Sequence, residues 1–221
     1  RGMRVGVPRA LVAEVAPGVR RLFDDSLEVL RSAGAAIHDV ALPHSRYATA
    51  TYAIVAMAEA SSNLSRFDGV RYGTRGEAGT LSDMYGQTRA LFGDEVKRRI
   101  MLGTYVLSAG YYDAYYVKAQ TVRALIRQDY ERAFQSVDVI ATPTSPTTAF
   151  RLGERLADPV QMYLADVFTV SANLAGIPAL SVPCGFDAGL PVGLQLTGRA
   201  WEESSLIRAG AACEALTPWS A

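Results

Sequence analysis

The N-terminal 43 residues contain the pattern that most constrains the fold. Short strands are predicted at residues 3–7 and 36–42, the second ended by Pro43, and a helix is predicted at residues 14–32. The helix carries apolar side chains at steps of three and four, and Gly34 is placed to cap its carboxyl end. Two strands joined by a helix of this length pair in parallel with a right-handed crossover. The pattern therefore predicts a βαβ unit.

The remaining residues alternate in the same way, with a helical middle and a return to strands. Helices are predicted at residues 47–66, 82–92, 94–108, 111–135, 171–176 and 201–216, and a further helix begins at Asp158-Pro159. Ser82-Asp83 and Asp158 are the predicted caps of the helices that they begin. Strands are predicted at residues 137–142, 179–186 and 192–198. The strand at 137–142 is continuously apolar, which is typical of a strand buried on both faces. No linker or repeat divides the chain, so residues 1–221 are predicted to be one α/β domain with helices covering a mixed sheet.

Composition excludes several classes of protein. The 221 residues carry 22 acidic and 22 basic side chains, and this balance argues against nucleic acid or an acidic membrane as the main partner. No apolar run approaches the length of about 20 residues that spans a membrane. The cysteines, Cys184 and Cys213, lie far apart in the sequence and are predicted to be reduced and buried. Lys97 and Lys118 are the only lysines, so a lysine base has two candidates.

Catalytic motifs are missing from the sequence. There is no G-x-S-x-G elbow, no phosphate-binding glycine loop and no group of side chains at metal-ligand spacing. His38 and His44 are predicted to have no catalytic role. The opening Arg1 is followed almost at once by strand-like sequence, from which we expect that a preceding part of the protein is absent.

Three groups of polar side chains are candidates for binding. Residues 97–99 are basic and helical; they form either a solvated face or one in which Arg98 or Arg99 turns inward and binds a carboxylate. Asp166 follows an apolar run, so it either caps a helix or has a donor or cation as partner. Tyrosines at 111, 112, 115 and 116 form two i, i+4 pairs that are predicted to contact the core or another protein chain rather than to form a base-stacking platform.

Five runs of sequence stand out as motifs. They are residues 173–183 (NLAGIPALSVP), 189–195 (GLPVGLQ), 63–73 (NLSRFDGVRYG), 95–104 (EVKRRIMLGT) and 110–116 (GYYDAYY). The first two are similar to the amidase signature family in general, and the other three resemble its branch of glutamyl-tRNA(Gln) and aspartyl-tRNA(Asn) amidotransferase A subunits.

The resemblance implies a fold and a complex. It implies the C-terminal half of an amidase signature fold, a mixed twisted sheet with helices on both faces. The parent subunit would be a cytoplasmic glutaminase of protein biosynthesis that forms a heterotrimer with the B and C subunits of the amidotransferase. Its ammonia would convert Glu-tRNA(Gln) to Gln-tRNA(Gln) on the B subunit, which would bind ATP, Mg²⁺ and most of the tRNA. No cofactor is expected in this chain, and no membrane as partner.

The resemblance also implies which residues bind glutamine. By position, these are Tyr52, Arg99 and Asp166: Arg99 would bind the α-carboxylate, Asp166 the α-ammonium, and Tyr52 would hydrogen-bond nearby. The serine nucleophile, the bridging serine and the lysine base would lie upstream, so the chain would contain no catalytic residue and would be inactive alone. Residues 74–80 depart from the family pattern. The alternatives are a stand-alone amidase signature hydrolase acting on another amide, and a non-catalytic scaffold that pairs with another chain.

Overall fold

The protein divides into two compact units. The computed structural model describes residues 2–77, 79–155 and 159–216. One unit consists of residues 1–49 and 122–221 and contains the sheet; the other consists of residues 50–121 and is helical. They are called the sheet unit and the helical unit below.

The first three elements of the sheet unit form the predicted βαβ arrangement. They are β1 (Arg4–Val7), α1 (Pro17–Ser32) and β2 (Ala36–Asp39). β1 and β2 are parallel, with Arg4 opposite Ala36 and Val7 opposite Asp39. β2 ends three residues earlier than predicted, because its partner strand ends at Val7, where the N–H of Arg9 turns back to the Val7 carbonyl at 3.0 Å. Gly34 adopts a φ of +94° immediately after the helix, as its predicted capping role requires.

The middle of the chain is helical, as predicted, but the helices begin and end at other residues than the sequence predicts. The elements are α2 (Ala48–Asn63), α3 (Leu81–Ala90), α4 (Asp94–Val106) and α5 (Lys118–Ala133), with a π-helical segment at Tyr112–Val117 before α5. The predicted cap of α3 was wrong by two residues. Thr80 is the cap: its Oγ1 accepts a hydrogen bond from the Asp83 N–H at 3.2 Å and donates to the Asp83 carboxylate at 2.7 Å.

The sheet is mixed. The later elements are β3 (Val139–Pro143), α6 (Pro159–Leu164), α7 (Thr169–Ala175), β4 (Ala179–Asp187), β5 (Leu190–Thr197) and α8 (Glu203–Leu216). Strand order is β2-β1-β3-β5-β4, with β1 parallel to its two neighbours and β5 antiparallel to its own. The predicted cap Asp158 lies outside the described residues.

The core of the sheet unit surrounds its central strands. Every residue of β3 is buried, so both faces of the sheet are covered there, as the apolar run predicted. Side chains from β1, α1, β4, β5 and α8 form one continuous apolar cluster. Cys184 and Cys213 are reduced thiols buried in it, which confirms their predicted state, and burial raises the pKa of the Cys184 thiol to about 11. Among the described residues, none of the helices combines the length and apolarity needed to cross a bilayer.

Candidate functional site

The structure brings two of the three predicted glutamine-binding residues together. In the helical unit, Arg99 Nη1 donates a hydrogen bond to the Tyr52 hydroxyl at 3.3 Å. Arg99 Nε donates to Glu95 Oε1, one helical turn earlier, at 2.9 Å. The two acceptors engage different nitrogens of the guanidinium group, which fixes the plane of the fork. Arg99 is therefore held in one orientation while 27% of its side chain stays exposed.

The basic run separates into inward and outward residues, as helical geometry requires. Lys97 and Arg98 are exposed, whereas Arg99 lies on the half-buried side of α4 with Val96 and Ile100. Arg99 is thus the inward arginine that the sequence left undecided between two positions. A guanidinium group can bind a carboxylate in bidentate fashion.

A glycine allows α4 to approach α2 at this site. A Cβ at Gly103 would lie 1.9 Å from the Met57 carbonyl oxygen and 2.8 Å from Ser61 Cβ. Gly103 lies one turn after Arg99, and Met57 lies more than one turn after Tyr52. The two contacts therefore join the same two helices at neighbouring turns. Close backbone packing at Gly103 therefore supports the Tyr52–Arg99 contact.

Asp166, the third predicted residue, belongs to the sheet unit. It lies between α6 and α7, and its main-chain carbonyl accepts hydrogen bonds from the N–H groups of Thr169 and Val170, both at 3.0 Å. Its side chain is exposed, and Phe168 rather than Asp166 is the N-cap of α7, so Asp166 neither caps that helix nor is buried against a partner among the described residues. Among the described residues, no donor contacts its carboxylate. An exposed carboxylate on a fixed backbone remains available to a cationic group.

A groove beside the end of β3 was not predicted. It has a volume of about 430 Å³ and is lined by hydroxyl groups of the loop after β3, by Ser181 and by Phe150. Thr144 Oγ1 and Ser181 Oγ lie 2.6 Å apart across Gly193, where a Cβ would approach them to 2.6 and 2.7 Å. The Thr/Ser-rich loop at 142–148 was the available signal, but nothing in it indicated a contact with residue 181.

The two histidines and Lys97 make contacts that hold the fold. His44 Nδ1 lies 3.0 Å from the carboxylate of Asp129, which is fully buried and also accepts from the His44 main-chain N–H and from Arg132. His38 pairs with Gly6 in the sheet. Lys97 Nζ donates to the carbonyl of Ala90 at 3.0 Å. Within the described part of the chain, no three His, Cys, Asp or Glu side chains form a group able to hold a metal ion.

The predicted tyrosine pairs exist but are not part of a core. Tyr111 and Tyr115 have ring centroids 6.0 Å apart, and Tyr112 and Tyr116 are 5.3 Å apart. Three of these side chains are more than a third exposed, so the prediction of core contacts was wrong, and that of contacts with another chain stays a prediction. Tyr105 joins the first pair at 4.3 Å from Tyr111.

Comparisons with known proteins agree on one family. The amidase family model matches residues 1–207. The chain is 58% identical over 221 residues to the A subunit of glutamyl-tRNA(Gln) amidotransferase from Chloroflexus aurantiacus, covering 99% of this chain and 45% of that protein. It is 59% identical over 220 residues to the A subunit from Acidobacterium capsulatum, covering 98% of this chain and 46% of that one. The chain thus spans about half the length of these curated relatives.

Solved structures show the same fold. The crystal structure of the glutamyl-tRNA(Gln) amidotransferase A subunit from Thermotoga maritima matches with a TM-score of 0.76 at 41% identity, covering 100% of this chain and 44% of that one. A bacterial aryl acylamidase of the amidase signature enzymes, at 20% identity and a TM-score of 0.74, shares the fold; the match covers 100% of this chain and 44% of that enzyme. These matches confirm the amidase signature fold predicted from the sequence. The chain belongs to the amidase family.

Proposed function

We propose that this chain is the C-terminal, glutamine-binding part of a tRNA-dependent amidotransferase A subunit. The observation that carries the proposal is the Arg99 guanidinium, which Glu95 and Tyr52 hold in one orientation while 27% of the side chain stays exposed. The level of identity to amidotransferase A subunits along the whole chain supports the same assignment.

Free glutamine carries two charges that a specific site must satisfy. We propose that Arg99 binds the α-carboxylate, because a guanidinium matches a carboxylate with two parallel hydrogen bonds. Tyr52, which accepts a hydrogen bond from Arg99, would donate its own hydroxyl hydrogen to the same carboxylate. Asp166 would bind the α-ammonium with its exposed carboxylate. A substrate lacking either charge would leave one of these groups without its partner.

The reaction proposed for the parent subunit is hydrolysis of the glutamine side-chain amide. A serine outside this chain would attack the amide carbon, the C–N bond would break, and ammonia would leave. Water would then cleave the acyl-serine ester to give glutamate. We propose that the ammonia passes to the B subunit, which uses ATP and Mg²⁺ to amidate Glu-tRNA(Gln) in a cytoplasmic complex that also contains the C subunit.

The carboxylate-binding role is tested in the full-length protein within its complex. Arg99→Ala is expected to raise KM for glutamine by about a hundredfold, because a charged substrate group loses its partner. Arg98→Ala is the matched control, since Arg98 is exposed, is adjacent in the sequence and also pairs with Glu95, at 2.5 Å. An unchanged KM in Arg99→Ala would instead favour an amidase acting on another amide.

The absence of catalytic residues from the chain is tested separately. We expect the isolated 221-residue chain to release no ammonia from glutamine, since neither of its lysines matches the position of the family's base. The measurement is coupled ammonia detection over a range of glutamine concentrations. Saturable ammonia release would contradict this part of the proposal.

A further inference from the structure

Gln195 is a buried polar side chain that the proposed site does not use. It lies on β5 and is 4% exposed. Its Nε2 donates two hydrogen bonds, to Thr142 Oγ1 of β3 at 3.1 Å and to the main-chain carbonyl of Phe168 at 3.0 Å. The second bond leaves the sheet and joins it to the backbone two residues after Asp166. A buried carboxamide with both amide hydrogens engaged holds that backbone in place.

The backbone on the other side of Asp166 is held in the same way. Ser145 Oγ donates a hydrogen bond to the carbonyl of Ala165 at 3.2 Å, so the loop after β3 contacts the residue immediately before Asp166. The Phe168 carbonyl also accepts from Ser171 Oγ at 3.4 Å, and Ser171 in turn contacts the Tyr130 hydroxyl at 2.8 Å. Side chains of β5 and of the loop after β3 therefore hold the chain on both sides of a single exposed carboxylate.

This arrangement matters because the Asp166 carboxylate has no donor of its own among the described residues. A carboxylate held by side-chain hydrogen bonds keeps its place through them, whereas this one depends on the position of its backbone. The Phe168 side chain is 2% exposed in the apolar cluster, which anchors the same segment by packing.

We propose that Gln195 and Ser145 are positioning residues for Asp166: they fix the segment 165–168 so that the exposed carboxylate meets the α-ammonium of glutamine. This inference rests on the proposed function, in which Asp166 binds that ammonium group. Neither side chain touches the substrate; each acts through a main-chain carbonyl. Loss of the Gln195 bonds would let the segment shift, and a misplaced carboxylate makes a weaker contact with the ammonium group.

The test compares two substrates in the full-length protein within its complex. Glutamine carries the α-ammonium, and 4-carbamoylbutyrate is the same amide without it. The measured quantity is the ratio of kcat/KM for glutamine to kcat/KM for 4-carbamoylbutyrate. Asp166→Asn is expected to lower this ratio by about a hundredfold, and Gln195→Met and Ser145→Ala by about tenfold each, through KM for glutamine. Gln128→Met, a change at an exposed glutamine of α5, is the matched control and leaves the ratio unchanged.

A purely structural role would lower kcat/KM for both substrates equally and leave the ratio unchanged, and that result overturns the inference. In the Asp166→Asn background, Gln195→Met should lower the ratio no further; an additional tenfold loss would also overturn it. If Gln195→Met does not fold, Ser145→Ala decides, because Ser145 is only half-buried. An unchanged ratio in Asp166→Asn itself would remove the proposed role of Asp166, whereas a loss in Asp166→Asn alone would remove only the positioning role.

Discussion

The sheet unit and the helical unit differ in how they bury apolar side chains. In the sheet unit, Phe23, Phe168, Ile140 and Leu196 are at most 2% exposed. Within the described residues of the helical unit, the buried apolar side chains are small: Val55, Ala58, Val106 and Ala119. Exposed large apolar side chains are frequent there, and Met101 reaches 72%.

The two units therefore differ in what stabilises them. Buried apolar area is the main source of folding free energy, so the sheet unit has a large share of it and the helical unit little. In the helical unit, precise contacts replace a large core: a glycine against a carbonyl, and an arginine between Glu95 and Tyr52. We therefore expect the sheet unit to respond most to lost volume and the helical unit most to added volume.

The largest expected effect is loss of volume in the sheet unit. Ile140→Ala, on the central strand β3, should lower the free energy of unfolding by about 3 kcal/mol, because it removes buried methyl groups and leaves a cavity. Urea unfolding followed by circular dichroism measures this change. Ile207→Ala is the control, since Ile207 is 62% exposed on α8. Equal losses in the two variants would contradict the assignment of the core.

A smaller effect is expected from added volume in the helical unit. Gly103→Ala should cost about 2 kcal/mol, because its Cβ would overlap the Met57 carbonyl, and should increase amide exchange in α2 and α4. Gly86→Ala is the matched control: it is also a helical glycine, its Cβ would meet nothing within 4 Å, and it should stabilise by about 0.5 kcal/mol. Destabilisation by both would indicate that helix geometry, rather than the α2–α4 approach, is responsible.

A still smaller effect is expected from Tyr130, a buried tyrosine of the sheet unit whose contribution to stability should depend on pH. Burial raises the pKa of Tyr130 to about 12 from its ordinary value of 10, against the hydrogen bond with Ser171. A raised pKa stabilises the folded state below pH 10, and this stabilisation is lost as the pH rises towards 12. Tyr130→Phe should therefore be about 1 kcal/mol less stable than the unmodified chain at pH 9, with the difference shrinking above pH 10. A difference independent of pH would contradict this.

The exposed tyrosine cluster of the helical unit, which includes Tyr105 and Tyr111, contrasts with the buried Tyr130. The pKa of Tyr105 is also raised to about 12, but first through its hydrogen bond with Tyr111 rather than by burial. Absorbance titration of ionised phenols should therefore show Tyr105 titrating at lower pH in Tyr111→Phe. The same change should leave the late titration of Tyr130 unaffected, since Tyr130 depends on burial in the sheet unit.

Local patterns predicted most of the elements, and their errors have identifiable causes. The apolar run to Leu42 predicts a longer β2, but a strand ends where its partner ends, and β1 ends at Val7, where the Arg9 N–H turns back to the Val7 carbonyl. Ser82-Asp83 predicts the cap of α3 because both residue types cap helices, but Thr80, two residues before Ser82, is the cap and makes two hydrogen bonds with Asp83. In each case the sequence pattern allowed more than one boundary, and a contact with another residue or strand determined which one the structure has.

The candidate site was less predictable, because its contacts join distant residues. The resemblance to the family named Tyr52, Arg99 and Asp166, and the basic run itself left Arg98 and Arg99 equally placed. The packing of α4 on α2 decides for Arg99. The apolar run around Asp166 suggested burial, but its side chain is exposed. The bond from Gln195 to the Phe168 carbonyl spans 27 residues and has no local signal.

The sequence by itself determined the fold class, the parallel βαβ start, the buried central strand and the family, because each depends on periodicity or on runs of residues along the chain. Three features follow only from the packing of the helices and strands: Arg99 lies inward, Gly103 packs closely against α2, and Gln195 hydrogen-bonds to the backbone near Asp166. These outcomes depend on distances between residues that are far apart in sequence, and such distances exist only once the helices and strands have packed.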